Sequence, residues 1–214
     1  MSAPSPAQPP QRAVLEGRYC RLEPIGPQHA ADLYGASKGQ EQRFTYLFEG
    51  PPASEATMAD WIARAAAKDD PMYFAVIDTA TDRAEGRQSL MRITPDHGVI
   101  EIGGIYWGPN ISRTQVTTEA LFLHARYIFD DLGYRRFEWK CNDLNAPSKA
   151  AAERFGFTFE GVFRQHMIVK GQNRDTAWFA MLDGEWPRIR AEFERWLEPG
   201  NFDLSGTQKT KLRF

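Results

Sequence analysis

Few cysteines, no long apolar run and no excess of either charge sign mark this chain, and each shortage closes off a class of function. Cys20 and Cys141 are the two thiols among 214 residues. They lack metal-ligand spacing and are too few for a disulfide scaffold, so buried free thiols are favoured over a bridge. His29, His97, His124 and His166 are scattered with no two at ligand spacing, and no metal site is expected. The longest apolar stretches fall far short of the roughly 20 residues that cross a bilayer, and no charged-then-apolar signal opens the chain. The expectation is a cytoplasmic protein with no membrane partner. With 26 Lys and Arg against 28 Asp and Glu, neither a basic nucleic-acid face nor an acidic tail is implied.

What is present is enough for one core: 42% of residues are hydrophobic and 13% aromatic, at a length that suits one α/β-type unit better than two. Residues 1–12 are rich in Pro, Ser, Ala and Gln and read as a disordered leader. Alternating apolar and polar residues from Val14 to Ile25 predict a first strand, followed by a short helix over Pro27 to Lys38. A helix over Ser54 to Lys68 follows, with Ser54 as cap. Three strands then form an antiparallel meander near Met72 to Asp78, Arg87 to Thr94 and Gly98 to Tyr106. The main helix runs from Thr114 to Leu132 and stops at Gly133. A strand over Arg136 to Asn142, a helix over Asn145 to Phe155, and strands around Gly161 to Val169 and Thr176 to Leu182 complete an α+β domain with a mixed sheet over residues 13–197. The tail, 198–214, returns to Gly, Asn, Ser, Thr and Lys and is expected on the surface.

The most informative stretch is Asn145-Ala-Pro-Ser148-Lys-Ala-Ala-Ala-Glu-Arg154-Phe-Gly156-Phe157. Asn145 is a favourable N-cap, Pro147 costs nothing near a helix start, and Gly156 can close the helix at positive φ. Ala150, Ala151 and Ala152 make a thin helix that something can approach closely. On spacing alone this is a well-capped, alanine-rich helix.

The same stretch resembles the Asn-x-x-Ser-x-x-Ala-Ala-x-x-x-Gly-Phe signature of the GNAT N-acetyltransferases, and Phe159-Glu160-Gly161-x-x-Arg164 extends the match. Glu101-Ile102-Gly103, Thr118-Glu119-Ala120, Asp175 and Glu185-Trp186 are similar to the RimJ/RimL-like branch, which acetylates protein N-termini or small amines. The resemblance covers about Val14 to Leu197. It implies a central sheet splayed between its fourth and fifth strands, with the pantetheine of acetyl-CoA in the wedge and the pyrophosphate at the start of the long helix. A helix N-terminus, with its unpaired N–H groups, suits an anion. The cradle would be Arg113, Thr114, Gln115, Val116, Thr117 and Thr118. Here the chain departs from the family: Gln115 and Thr117 stand where small residues are expected. Arg113 and the threonine hydroxyls could donate to phosphate, or only cap the helix.

Amine acylation needs a neutral amine, donors for the oxyanion and a proton for the departing thiolate. By family position Glu101 is the candidate general base and acceptor-contacting residue; the alternative is a strand carboxylate paired with a Lys or Arg. Gly103-Gly104 suggests a β-bulge, beside which Ile105, Tyr106 and Trp107 would supply backbone donors to the thioester carbonyl. The resemblance implies that Ser148 protonates the thiolate and that Asn145 holds the pantetheine arm. Tyr46, in the apolar loop from Phe44 to Gly50, would help form the acceptor pocket. The leading expectation is direct transfer in a ternary complex from acetyl-CoA to a small-molecule or peptide amine, without metal, by a protein that can be a homodimer. The competing one is a non-catalytic binding module that kept the fold and lost the pyrophosphate loop.

Overall fold

The computed structural model describes residues 6–214. Its centre is one eight-stranded sheet in the order β1-β2-β3-β4-β5-β6-β8-β7. The predicted first strand is a small hairpin, β1 (Leu15–Glu16) and β2 (Cys20–Pro24), because Gly17 to Tyr19 turn the chain back. A single 3-10 turn at Pro27–His29 leads into α1 (Ala30–Ser37), and α2 (Glu55–Ala66) starts on its expected cap, where the Thr57 amide donates to Ser54 Oγ. The meander is β3 (Met72–Asp78), β4 (Arg83–Thr94) and β5 (Val99–Trp107), each pair antiparallel.

The long helix α3 (Gln115–Arg126) continues through a π turn, Tyr127–Asp131, and stops at Gly133, whose φ is +73°. Next come β6 (Arg136–Asn142), α4 (Ala146–Arg154), β7 (Thr158–Val169) and β8 (Gln172–Leu182). β5 and β6 run parallel and the other neighbours antiparallel, which makes the sheet mixed. A further helix, α5 (Trp186–Leu197), was not foreseen. Trp186, Ile189, Phe193 and Trp196 lie buried along one face of it, the spacing of an amphipathic helix.

Two apolar layers sandwich the sheet. Phe74, Val76 and Leu90 pack toward α3, while Ala75, Ile77 and Ala84 pack toward α1 and α2. In β3, therefore, both alternating sets are buried. α5 covers the far side of α3, with Phe122 and Phe193 rings 5.6 Å apart, which explains why α3 is buried on every side.

The N-terminal segment is anchored to the domain, whereas the C-terminal tail runs over the surface. Residues 1–5 of the expected leader lie outside the described residues, and 6–12 are tied to the domain. The Ala7 amide donates to Pro95 O at 3.0 Å, the Gln8 amide to Leu132 O at 2.9 Å, and the Gln11 amide to Tyr127 Oη at 2.9 Å. Backbone pairing of this kind needs no apolar side chain, so composition does not announce it. The tail folds back on α5: Trp196 Nε1 donates to Gln208 Oε1, and Phe214 packs against Phe193 at 5.6 Å.

Candidate functional site

The sheet opens where β5 and β6 part. Their parallel rungs run from Val99 opposite Arg136 to Ile102 opposite Trp139 and then cease, although both strands continue. The cause lies in β5. Gln88 of β4 faces two residues, because Ser89 pairs with Gly103 and Arg87 with Tyr106; this is the expected bulge. Gly104 adopts φ +57°, and a Cβ there would sit 2.6 Å from Tyr73 Oη, so only glycine fits the bend. The resulting wedge is a cavity of about 470 Å³. Its walls carry Glu101, Ile105, Tyr106 and Trp107 from the β5 side and Asn145 and Ser148 from α4.

Asn145 caps α4: its Oδ1 accepts from the Ser148 amide at 3.2 Å. That contact uses the carbonyl end of the side chain and leaves the amide NH₂ able to donate. Ser148 Oγ accepts from Trp139 Nε1 at 3.0 Å, which leaves its own proton to donate. Cys141 lies beside it on the cavity wall; burial pushes its thiol up, opposed by the Ser148 hydroxyl. Both cysteines are free and buried, as expected.

Glu101 is 3% exposed and borders the cavity. Its Oε2 receives Arg92 Nη1 at 2.7 Å and Lys140 Nζ at 2.8 Å. The carboxylate is ion-paired, as one alternative had it, and it also lines the cleft. Both cations make their shortest contacts to Oε2.

Tyr46 sits at the mouth of the cavity, where its hydroxyl donates to Leu144 O at 3.1 Å and straps the Phe44–Gly50 loop to the turn before α4. The Tyr106 side chain is committed elsewhere, donating to Ala36 O at 2.8 Å and stacking on Phe44; only its backbone is available to a ligand. Trp107 Nε1 donates to Gln88 Oε1, and Gln88 Nε2 reaches Ala120 O and His124 Nδ1. A buried amide thus connects the cleft wall to α3.

The start of α3 differs from the phosphate-donating arrangement. Thr114 Oγ1 donates to Ile111 O and accepts from the Val116 amide, so it is a cap. Thr117 and Thr118 are buried, their hydroxyls bonded back to Thr114 O, and Thr118 Oγ1 also accepts from Arg154. Thr118 is therefore removed from any surface cradle. Gln115 lies against the tail beside Gly206 and Phe202. Neither filler of the small positions borders the wedge; of this loop only Ser112 does. Arg113 takes φ +64°, a left-handed bend without a glycine.

Sequence reasoning missed the cations of the inner wall: Arg92, Lys140 and Arg174. The signal was there, since Lys140 alternates with Glu138 and Asn142 on one face of β6 and Arg174 with Thr176 and Trp178 on one face of β8. Neither pattern indicates which side of the sheet a cleft will open on.

Among the described residues no group of three or more His, Cys, Asp or Glu is arranged to hold a metal ion, and no helix is long and apolar enough to cross a membrane.

Comparison with known proteins gives this geometry its context. A GCN5-related N-acetyltransferase from Brucella melitensis, known from its crystal structure, is 57% identical, with a TM-score of 0.95 over 97% of this chain and 95% of that one. YdaF of Bacillus subtilis, provisionally named a ribosomal N-acetyltransferase, is 25% identical over 170 residues, 77% of this chain and 90% of its own. The microcin C7 self-immunity acetyltransferase MccE, solved with acetyl-CoA and AMP, shares the fold at 20% identity and a TM-score of 0.67, over 78% of this chain and 93% of that one. Residues 20–158 match the family described as the acetyltransferase (GNAT) domain, and the chain accordingly belongs to the GNAT N-acetyltransferases.

Proposed function

We propose that this acetyltransferase moves the acetyl group directly from acetyl-CoA to a primary amine held in the wedge between β5 and β6. The observation that carries the reading is that wedge, with Glu101 on one wall and Asn145 and Ser148 on the other. Acetyl-CoA supplies the activated acetyl carbon; MccE is a relative of this fold whose crystals contain it. The residues present suit its arm: an open strand edge, a free asparagine NH₂ and a serine able to donate. The start of α3, with Arg113, Gln115 and the first-turn amides, would meet the pyrophosphate through backbone N–H groups rather than hydroxyls.

In this reading Glu101 Oε1 accepts the proton of the incoming amine, directly or through water. Backbone N–H groups of Ile105 to Trp107 stabilise the carbonyl oxygen as negative charge gathers there. The nitrogen–carbon bond forms, the carbon–sulfur bond breaks, and Ser148 Oγ gives the thiolate its proton, regaining one from solvent as Glu101 releases the proton it took from the amine. Tyr46 holds the mouth loop over the acceptor, and fixing both reactants in one cleft supplies much of the rate. The acceptor is a peptide N-terminus or a small-molecule amine, and a cytoplasmic setting goes with the reading.

Initial-rate kinetics of CoA release, with both substrates varied, test it. Intersecting reciprocal plots and an unmodified protein mass support direct transfer. Parallel plots, or a 1:1 acetylated protein after incubation with acetyl-CoA alone, would refute it.

A further inference from the structure

The charges on the cavity wall do not balance. Arg43, Arg92, Lys140 and Arg174 border it, against two carboxylates, Glu49 and Glu101. Both carboxylates are already occupied. Glu49 pairs with Arg87, which lies behind it. Glu101 takes Arg92 and Lys140, and Lys140 is shared at 2.7 Å with Glu138, itself paired with Arg136. Arg43, at the outer mouth, is satisfied by neutral oxygens, Trp107 O at 3.1 Å and Ser112 Oγ at 2.9 Å.

Arg174 stands apart. It is 7% exposed, and among the described residues its guanidinium forms no ion pair and no hydrogen bond; its Nε is fully enclosed without a partner. The nearest aromatic face is Phe48 of the mouth loop, 5.2 Å from the guanidinium carbon. A cation–π contact at that range compensates only part of the desolvation of a buried charge. Burial pulls the guanidinium below its ordinary range, with Glu101 opposing and Arg92 adding to the effect. A planar, five-donor fork held without an anion at the wall of a ligand cavity is suited to a planar anion arriving with the ligand.

We propose that the acceptor amine carries a carboxylate, which Arg174 receives on the inner wall of the cleft while the amine faces Glu101. The inference rests on the acceptor occupying this wedge, as proposed above. It narrows the substrate to amino-carboxylates, with the mouth loop closing over the bound anion through Phe48. Arg174 is a specificity-determining residue here and takes no part in bond making.

The test is CoA release from acetyl-CoA across paired acceptors, each amino acid against its own carboxamide, with O-phosphoethanolamine as a phosphate-bearing control. Calorimetric acetyl-CoA binding is measured in parallel. The expected result is kcat/KM at least tenfold higher for the carboxylate member of each accepted pair. In Arg174→Gln the preference is expected to vanish through a raised KM for the carboxylate member, with acetyl-CoA affinity kept as the check on folding. Arg174→Lys, which keeps the charge without the fork, should retain part of it. Equal rates within pairs, a preference that survives Arg174→Gln, better use of O-phosphoethanolamine, or no acceptor in the panel despite acetyl-CoA binding would each overturn this proposal alone. Failure to bind acetyl-CoA would overturn the underlying reading and this one with it.

Discussion

Ser148 and His124 show how one hydrogen bond sets what a side chain can do. With Trp139 Nε1 donating to its Oγ, Ser148 keeps its own proton available to donate. Ser148→Ala is expected to lower kcat by roughly 10²-fold, the lower end of general-acid effects, while acetyl-CoA affinity measured by calorimetry changes little. An unchanged kcat would remove the acid role. His124 is wholly buried, and Gln88 donates to its Nδ1, which leaves the proton on Nε2 among apolar neighbours. Burial drives its pKa from 6.5 down to about 3. The unfolded chain takes up a proton near pH 6.5 that the folded one refuses. The His124 contribution is therefore intact above pH 6.5 and shrinks by about 1.4 kcal/mol per pH unit below it, down to pH 3. Urea unfolding at pH 7.5, 6 and 5 should show a shallower acid loss for His124→Gln than for the parent. Identical slopes would exclude His124 as the source.

Elements are joined here by polar anchors as much as by apolar faces. Glu119, in the first turns of α3, accepts the amides of Arg18, Tyr19 and Cys20 at 2.9, 2.5 and 2.7 Å. It thereby shapes the turn between β1 and β2, and a Cβ on Gly17 would meet it at 2.5 Å. Its carboxylate raises the buried Cys20 thiol further, after burial itself. Glu119→Ala would leave three N–H groups without their carboxylate, that of Cys20 buried, and a loss of about 3 kcal/mol is expected from charge-assisted bonds of this kind. The urea midpoint is the measurement, and a shift within experimental error would mean that water replaces the carboxylate. The sequence marked Glu119 only through family resemblance; its work as a turn anchor depends on α3 lying across β2, about a hundred residues away in the chain.

At the scale of the molecule, the sheet's two halves, β1 to β5 and β6 to β8, meet through the four β5–β6 rungs before the wedge opens. A ligand lying in the wedge touches both halves and binds only the folded chain. Acetyl-CoA at a hundredfold excess over its Kd should therefore stabilise by about 2.7 kcal/mol. For a chain of this size that is roughly 5–10 °C in Tm. Thermal melts with and without acetyl-CoA measure it, and no shift at saturating ligand would count against a bridged wedge.

The sequence by itself determined the order and type of nearly every element, because period-2 and period-3.6 patterns and the caps at Ser54, Thr114 and Asn145 are local properties of the chain. Through family resemblance, carried by the Asn145–Phe157 stretch and by Glu101-Ile102-Gly103, it also pointed to Glu101, Asn145 and Ser148. Tertiary structure alone decided the rest. It buried the Thr117 and Thr118 hydroxyls, paired Glu101 with two cations from neighbouring strands, tied residues 6–12 to the domain, and left Arg174 without an anion at the cavity wall. Those outcomes depend on which strands become neighbours and where β5 and β6 diverge, and charge compensation between residues far apart in sequence has no local pattern to reveal it.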